Sequence, residues 1–317
     1  MITRRTLLFG SSAAILTGAA MTPRERVDRV LAGQEVDRTP FTFYYHFGLE
    51  KQPGDRHAKA TIEWHWKFRT DLVKVMSDYP YPPGSGAQWH ELEVEPNPYP
   101  EQITALTIIN KTLNGKAHFI ETIFNPWNVA GKLSSPARVK RMMEKDPARL
   151  LNLLGVIARS QANHARRAMA AGASGIFLAI ANASPAVMSK EAYRRFSEPF
   201  DQQVLKAAAG APLNTLHIHG EDVYLDLFYE GWNASVLQYD AHGTGIPIAD
   251  VRRQYGGVIL GGLDHHNLRN LTPAQIEEQW KNARAAAGPK FILAPGCSAP
   301  QDATDEELMR IVKVLGA

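Results

Sequence analysis

The alternation of short apolar runs with amphipathic helical stretches constrains this chain more than any other feature. After Met21, strand-like runs rich in β-branched and aromatic residues are separated by stretches with helical spacing of apolar side chains. Because parallel strands need long crossover connections, this order predicts a parallel β-sheet covered by helices. The predicted strands are 41–45, 72–76, 118–124, 175–180, 213–218, 235–239, 258–262 and 291–294.

Eight such units in 317 residues favour a single closed (β/α)8 barrel, a TIM barrel, over an open doubly wound sheet. No G-x-G-x-x-G motif follows an early strand, which argues against a dinucleotide-binding sheet. We therefore predict one barrel domain over residues 21–317, with its active site at the C-terminal ends of the strands. The segment 79–100 is long for a connecting loop and is predicted to cover the barrel mouth.

Residues 1–20 have the layout of an export signal. Arg4 and Arg5 are adjacent, and an uncharged run extends from Leu7 to Ala20. This pattern predicts a twin-arginine-type signal segment and a periplasmic or exported protein. The run is too short for a stable membrane span. Translation from Met21, which would give a cytoplasmic protein, is the alternative.

The charge balance excludes one class of partner. The net charge is +3, and the 35 basic residues are scattered without a Lys- and Arg-rich block. We therefore expect a small-molecule substrate and no nucleic acid. Because Cys297 is the single cysteine, no intrachain disulfide can form.

Metal-competent residues follow two of the predicted strands. His217 and His219 end the fifth strand, and residues two apart on a strand face the same side. Cys297 comes directly after the eighth strand. Two imidazoles and one sulfur suit Zn²⁺ and leave a fourth position open. The sequence predicts a zinc site at the barrel mouth; a structural role for each residue is the alternative.

Other polar residues also follow predicted strands. The candidates for acid/base catalysis or for supporting the metal ligands are Asp78, Asp240, His242 and Asp264. The competing interpretation is loop capping or surface solvation for Asp240, His242 and Asp264, and a turn position before Pro80 for Asp78. His265 and His266 are adjacent, so their rings are expected to diverge, with one at most facing the mouth.

Several motifs carry a resemblance to a known family. Met21-Thr22-Pro23-Arg24-Glu25-Arg26-Val27, Leu216-His217-Ile218-His219-Gly220, Gly261-Gly262-Leu263-Asp264 and Ala294-Pro295-Gly296-Cys297 resemble segments of the uroporphyrinogen decarboxylase superfamily. The most similar branch is that of the zinc-dependent methylcobalamin:thiol methyltransferases, which act on coenzyme M. This resemblance implies zinc ligation by His217, His219 and Cys297. It also implies a methylcorrinoid as methyl donor, with a corrinoid protein as partner.

The middle ligand departs from the family pattern, which is H-x-C followed much later by C. With His219 in that position, the ligands leave about one positive charge on the metal, which should be a stronger Lewis acid. A thiol bound to such a metal would ionise more readily, but its thiolate would be a weaker nucleophile. A hydroxyl acceptor is therefore an alternative to a thiol. The leading prediction is a zinc-dependent methyl- or alkyl-transferase-like enzyme.

The sequence leaves two alternatives open. The first is a metal-free decarboxylase of tetrapyrrole carboxylates, although the stretch 41–45 lacks the arginine cluster of that branch. The second is a non-catalytic exported barrel that binds a corrinoid, a tetrapyrrole or a metal.

Overall fold

The structure is a computed structural model that describes residues 20–82 and 89–317. Within these residues, seven strands form one sheet in chain order, and all neighbours are parallel. The predicted parallel α/β fold is confirmed. The strands are β1 (Leu72–Val75), β2 (His118–Phe124), β3 (Ile176–Ile180), β4 (Thr215–Ile218), β5 (Val236–Tyr239), β6 (Val258–Leu263) and β7 (Phe291–Pro295).

The first predicted strand, 41–45, needs a correction. It forms a single parallel bridge, between Phe41 and Leu293 of β7. On its other side, the Asp71 amide donates to the Phe41 carbonyl at 2.8 Å. The Phe41 amide donates to the Asp71 carboxylate, so a side chain takes the place of a strand carbonyl. Pro40 has no N–H to donate. The segment therefore lies between β7 and the start of β1 without forming a regular ladder.

Helices connect successive strands, as the periodicity predicts. Thr22, Thr272 and Thr304 form capping boxes at the starts of three of them, which satisfies otherwise unpaired amides. The helices are α1 (Pro23–Leu31), α2 (Gly54–Phe68), α3 (Pro100–Leu113), α4 (Pro126–Leu133), α5 (Pro136–Lys145), α6 (Pro147–Ala170), α7 (Lys190–Phe196), α8 (Glu198–Lys206), α9 (Ala241–Thr244), α10 (Ile248–Gln254), α11 (Pro273–Ala287) and α12 (Asp305–Val314), with 3-10 turns at Leu225–Phe228 and Leu268–Asn270.

The two faces of the sheet are buried in different ways. On β3, Ile176, Leu178 and Ile180 pack in the cluster shared with the helices, whereas Phe177 and Ala179 pack in a separate cluster on the inner face. This is the two-residue alternation of a strand. His217 is in register with Ala179. The inner face therefore includes His217.

The signal-segment prediction rests on residues 1–19, which lie outside the described residues. Among the helices that the structure describes, none combines the length and the apolar composition that crossing a bilayer would require.

Candidate metal centre

The three predicted ligands meet at the C-terminal ends of β4 and β7. The Cys297 sulfur lies 3.6 Å from Nδ1 of His219 and 4.0 Å from Nε2 of His217. Tetrahedral zinc with bonds of about 2.0–2.3 Å keeps its ligand atoms roughly 3.3–3.6 Å apart. The two sulfur–nitrogen distances therefore approach what a single ion would require, and all three donor atoms lie within 4.8 Å of one another.

The electrostatics favour the metal-binding forms of Cys297 and His217, whereas His219 is stabilised as a cation beside the thiolate. Burial alone would raise the pKa of Cys297, but hydrogen bonds with His217 and His219 outweigh burial and lower it to about 4. Burial lowers the pKa of His217, whose ring stacks on Phe177 at 5.0 Å between centroids. The hydrogen bond with Cys297 raises the pKa of His219. A thiolate and a neutral imidazole are the forms that bind metal.

The trio borders a cavity of about 590 Å³. Its walls are mostly apolar, and polar groups are concentrated near the trio and the rim, an arrangement typical of small-molecule sites. The lining includes Tyr44, His46, Lys74, Met76, Phe124, Trp127, Lys132, Phe177, His217, His219 and Cys297.

Sequence reasoning missed Lys74, which lies on β1 and faces this cavity. Its ammonium nitrogen is 4.1 Å from the ring centroid of Tyr44 and 4.4 Å from that of Phe177. Burial lowers the pKa of Lys74 to about 7. A lysine between two valines of a fully buried strand, Leu72–Val75, was the available indication.

Lys132 is a second cation on the cavity wall. Its ammonium lies 3.2 Å from the Phe124 ring centroid, and burial lowers its pKa to about 8. In the described part of the chain, the lysine–carboxylate ion pairs involve other lysines. The cavity therefore faces two lysines that no protein carboxylate neutralises directly.

Asp78 lies near the cavity rim and pairs with a residue that lines it. Nδ1 of His46 is 2.7 Å from Oδ1 of Asp78. Burial would raise the pKa of Asp78, but the hydrogen bond with His46 contributes to a net lowering. The carboxylate thus orients an imidazole that faces the cavity.

Asp240 lies beside the trio in a second group of side chains. Its Oδ2 atom is 3.1 Å from Nδ1 of His265 and 3.4 Å from Nε2 of His266. The two imidazole centroids are only 3.9 Å apart, so the expected divergence of these histidines is wrong. The reason is the turn after β6, where the Asp264 carboxylate accepts from the amides of His266 and Asn267.

Asp264 and His242 belong to neither group of metal-competent atoms, although both are close to the second one. The Asp264 contacts are those of a turn cap, and Nε2 of His242 lies 3.1 Å from the Gly262 carbonyl oxygen. Their catalytic roles stay predictions.

Comparison with known proteins gives the family. The sequence model of the uroporphyrinogen decarboxylase (URO-D) family matches residues 68–316. The uroporphyrinogen decarboxylase of Thioalkalivibrio sulfidiphilus is 28% identical over 197 residues, which cover 58% of this chain and 52% of that protein. The methylated-thiol–coenzyme M methyltransferase of Methanosarcina mazei is 25% identical over 191 residues, or 59% of this chain and 50% of that protein.

The chain spans about half the length of the curated relatives it matches. A solved methyltransferase from Methanosarcina mazei shares the fold, with a TM-score of 0.75 and 18% identity, over 93% of this chain and 98% of that one. Because the family match covers most of the chain, this protein belongs to the uroporphyrinogen decarboxylase family, as its sequence motifs predicted.

Proposed function

We propose that this chain is a zinc-dependent methyl- or alkyl-transferase-like enzyme that acts on a thiol or hydroxyl acceptor. One observation carries the proposal: on the wall of a large cavity, the sulfur of Cys297 lies 3.6 Å from a ring nitrogen of His219 and 4.0 Å from a ring nitrogen of His217. We further propose that the extended segment 41–45 completes an eight-membered barrel around this cavity.

The residues present fit zinc on chemical grounds. Two imidazoles and one thiolate are ligands that zinc prefers, and three protein ligands are typical of catalytic sites. Zinc bound there would supply positive charge that lowers the pKa of the acceptor, so that its reactive anion exists near neutral pH. Because the pKa of Cys297 is already about 4, its thiolate needs no proton removed near neutral pH.

The cavity walls determine which substrates can approach. Apolar and aromatic side chains exclude water, while Lys74 and Lys132 present two desolvated amines whose pKa values are lowered. A substrate with an anionic group would favour their protonated forms and pair with them, and it is therefore favoured over a neutral one. His46 lines the same cavity and is oriented by Asp78, and we propose that it accepts the proton that the acceptor releases.

The methyl donor is proposed from the family resemblance to be a methylcorrinoid, delivered free or by a corrinoid protein. Mixing the purified chain with methylcobalamin and a panel of thiols or alcohols, and following loss of the methyl–cobalt absorbance, tests this donor. Demethylation that depends on the acceptor would support it.

Metal analysis tests the centre itself. Cys297→Ser should lower bound zinc by about one equivalent per chain and abolish transfer, because the serine hydroxyl does not ionise near neutral pH. Ser298→Ala, a change at the neighbouring position, should retain the metal. Undiminished transfer after exhaustive chelation, with metal loss verified, would contradict the proposal.

Metal-free decarboxylation of a tetrapyrrole carboxylate is the second candidate. It is favoured by the names of several relatives and by the two cationic lysines in the cavity. Incubation with uroporphyrinogen, followed by chromatography, separates the two. Coproporphyrinogen formed by the chelated protein would favour decarboxylation, whereas tight tetrapyrrole or corrinoid binding with no turnover would favour a binding protein.

A further inference from the structure

A second group of metal-competent side chains lies next to the first. It consists of Asp240, after β5, and of His265 and His266, after β6. We propose that these three residues hold a second divalent transition-metal cation. This site is separate from the one formed by His217, His219 and Cys297, and it does not depend on methyl transfer being the reaction.

The spacing of the donor atoms fits a single ion. Oδ2 of Asp240 is 3.1 Å from Nδ1 of His265 and 3.4 Å from Nε2 of His266. Metal–ligand bonds of about 2.0–2.2 Å place neighbouring ligand atoms roughly 3.0–3.5 Å apart. Two imidazoles and one carboxylate are a known ligand set for zinc and for ferrous iron, and they leave positions open.

Two of these donor atoms are buried without a well-formed hydrogen bond. Asp240 is only 5% exposed. Oδ2 of Asp240 and Nδ1 of His265 contact each other at 3.1 Å as an ion pair, but neither atom has a partner with hydrogen-bond geometry among residues 20–82 and 89–317. Because an unpaired buried polar atom is costly, a shared cation would satisfy both.

The Asp240 carboxylate is held in place by its surroundings. Oδ1 accepts from the His242 amide at 3.1 Å, which leaves Oδ2 for another partner. A Cβ at Gly243 would lie 2.3 Å from Oδ2, and one at Gly296 would lie 2.5 Å from Oδ1. Glycine at both positions therefore allows the backbone to enclose the carboxylate. His266, half exposed, leaves the group accessible from solvent.

The two sets of ligands border the same space. A small cavity of about 110 Å³ is lined by Asp240, His265 and His266 and also by His219 and Cys297. The second cation would thus adjoin the first centre, where it could bind an oxygen atom of the substrate or of water. Its ligands contain no sulfur, so its preference should be for harder oxygen and nitrogen partners.

Metal counting on the full-length protein tests this site. The metal-free chain is loaded with Zn²⁺ or Co²⁺, and excess metal is removed before bound metal is measured. We expect two equivalents in the wild type and one in each of Asp240→Asn, His265→Gln and Cys297→Ser. Asp222→Asn, which changes an exposed carboxylate in the loop after β4, is the matched control and should retain two.

The cobalt spectrum assigns each equivalent, because only the first centre contains sulfur. The thiolate-to-cobalt charge-transfer band should persist in Asp240→Asn and His265→Gln and disappear in Cys297→Ser. A single equivalent in the wild type would overturn the proposal. If Asp240→Asn then weakens that one equivalent, Asp240 supports the first centre instead. Should Asp240→Asn fail to fold, His265→Gln and His266→Gln decide by the same measurements.

Discussion

The two ends of strand β1 each carry a buried charged side chain, but the partners of the two side chains differ. Before β1, the Asp71 carboxylate is fully buried and accepts from Arg26 at 2.5 Å, from Arg38 at 2.6 Å and from the Phe41 amide at 3.0 Å. Near the C-terminal end of β1, Lys74 is buried against aromatic rings and a methionine sulfur. It forms no ion pair with a carboxylate of the described residues.

This difference separates stability from function. A buried charge whose partners are all within the protein holds elements together, here α1, the segment 41–45 and β1. A buried charge or lone pair that lacks a protein partner is retained at a free-energy cost, which is typical of sites that bind something else. In barrels, the C-terminal end of the strands is also where such sites form.

Removing the charge of Asp71 should produce the largest effect. Asp71→Asn leaves the buried guanidinium of Arg26 without its full partner, so we expect the free energy of unfolding to fall by about 3–5 kcal/mol. Urea unfolding measures it. Asp250→Asn, which breaks an exposed pair with Arg253, should change stability by less than about 1 kcal/mol. Equal effects of the two variants would contradict the structural role of Asp71.

The middle proposed ligand, His219, offers a second prediction. His219→Cys would introduce the cysteine of the methyltransferase branch that the sequence resembles, and a second thiolate would reduce the positive charge of zinc bound there and raise the pKa of the acceptor. We expect the midpoint of the pH–rate profile to move upward by on the order of one unit, or about 1.4 kcal/mol. Asp222→Asn serves as the control because it changes an exposed carboxylate outside both groups of proposed ligands. An unmoved midpoint would argue against acceptor ionisation at this centre.

Lys74 predicts a pH dependence of stability. Its pKa is about 7 when folded and near its ordinary value of 10.5 when unfolded, so the unfolded chain binds more protons between these values. Stability should therefore rise with pH across this window, by up to about 1.4 kcal/mol per pH unit from this residue. Unfolding of the wild type and of Lys74→Met from pH 6 to 9 measures the difference. Parallel curves would show that Lys74 does not titrate there.

Substitution of Asp264 should lower the free energy of unfolding least, because the carboxylate lies near the site but its hydrogen bonds are those of a turn cap. Asp264→Asn keeps an oxygen that can accept from the His266 and Asn267 amides, so we expect a loss below about 1 kcal/mol. Metal content should stay at the wild-type value. A large loss of activity in a stable, metal-loaded variant would assign Asp264 to catalysis and weaken the comparison.

The fold was largely predictable because its pattern is local. Strand and helix periodicities placed seven of the eight predicted strands close to their observed bounds. The segment 41–45 was assigned wrongly as a regular strand because the carboxylate of Asp71, distant in the chain, binds its amide. No pattern within that segment reveals this contact.

The site was predictable to the extent that strand ends converge. His217, His219 and Cys297 were found because the order of strands places their loops at one mouth. Lys74 was missed because the run 72–76 was interpreted only as a buried strand, and the lysine within it was given no role. The convergence of His265 and His266 on Asp240 was also missed, since adjacent residues normally point apart.

By itself, the sequence determined the α/β architecture, the family and the identity of the groups able to bind metal, because residue type and periodicity are properties of short segments. Only the tertiary structure decided which of those groups approach one another, which are left without partners and which merely cap a turn. The physical reason is that distances and desolvation arise from contacts between segments far apart in the chain, which no local pattern encodes.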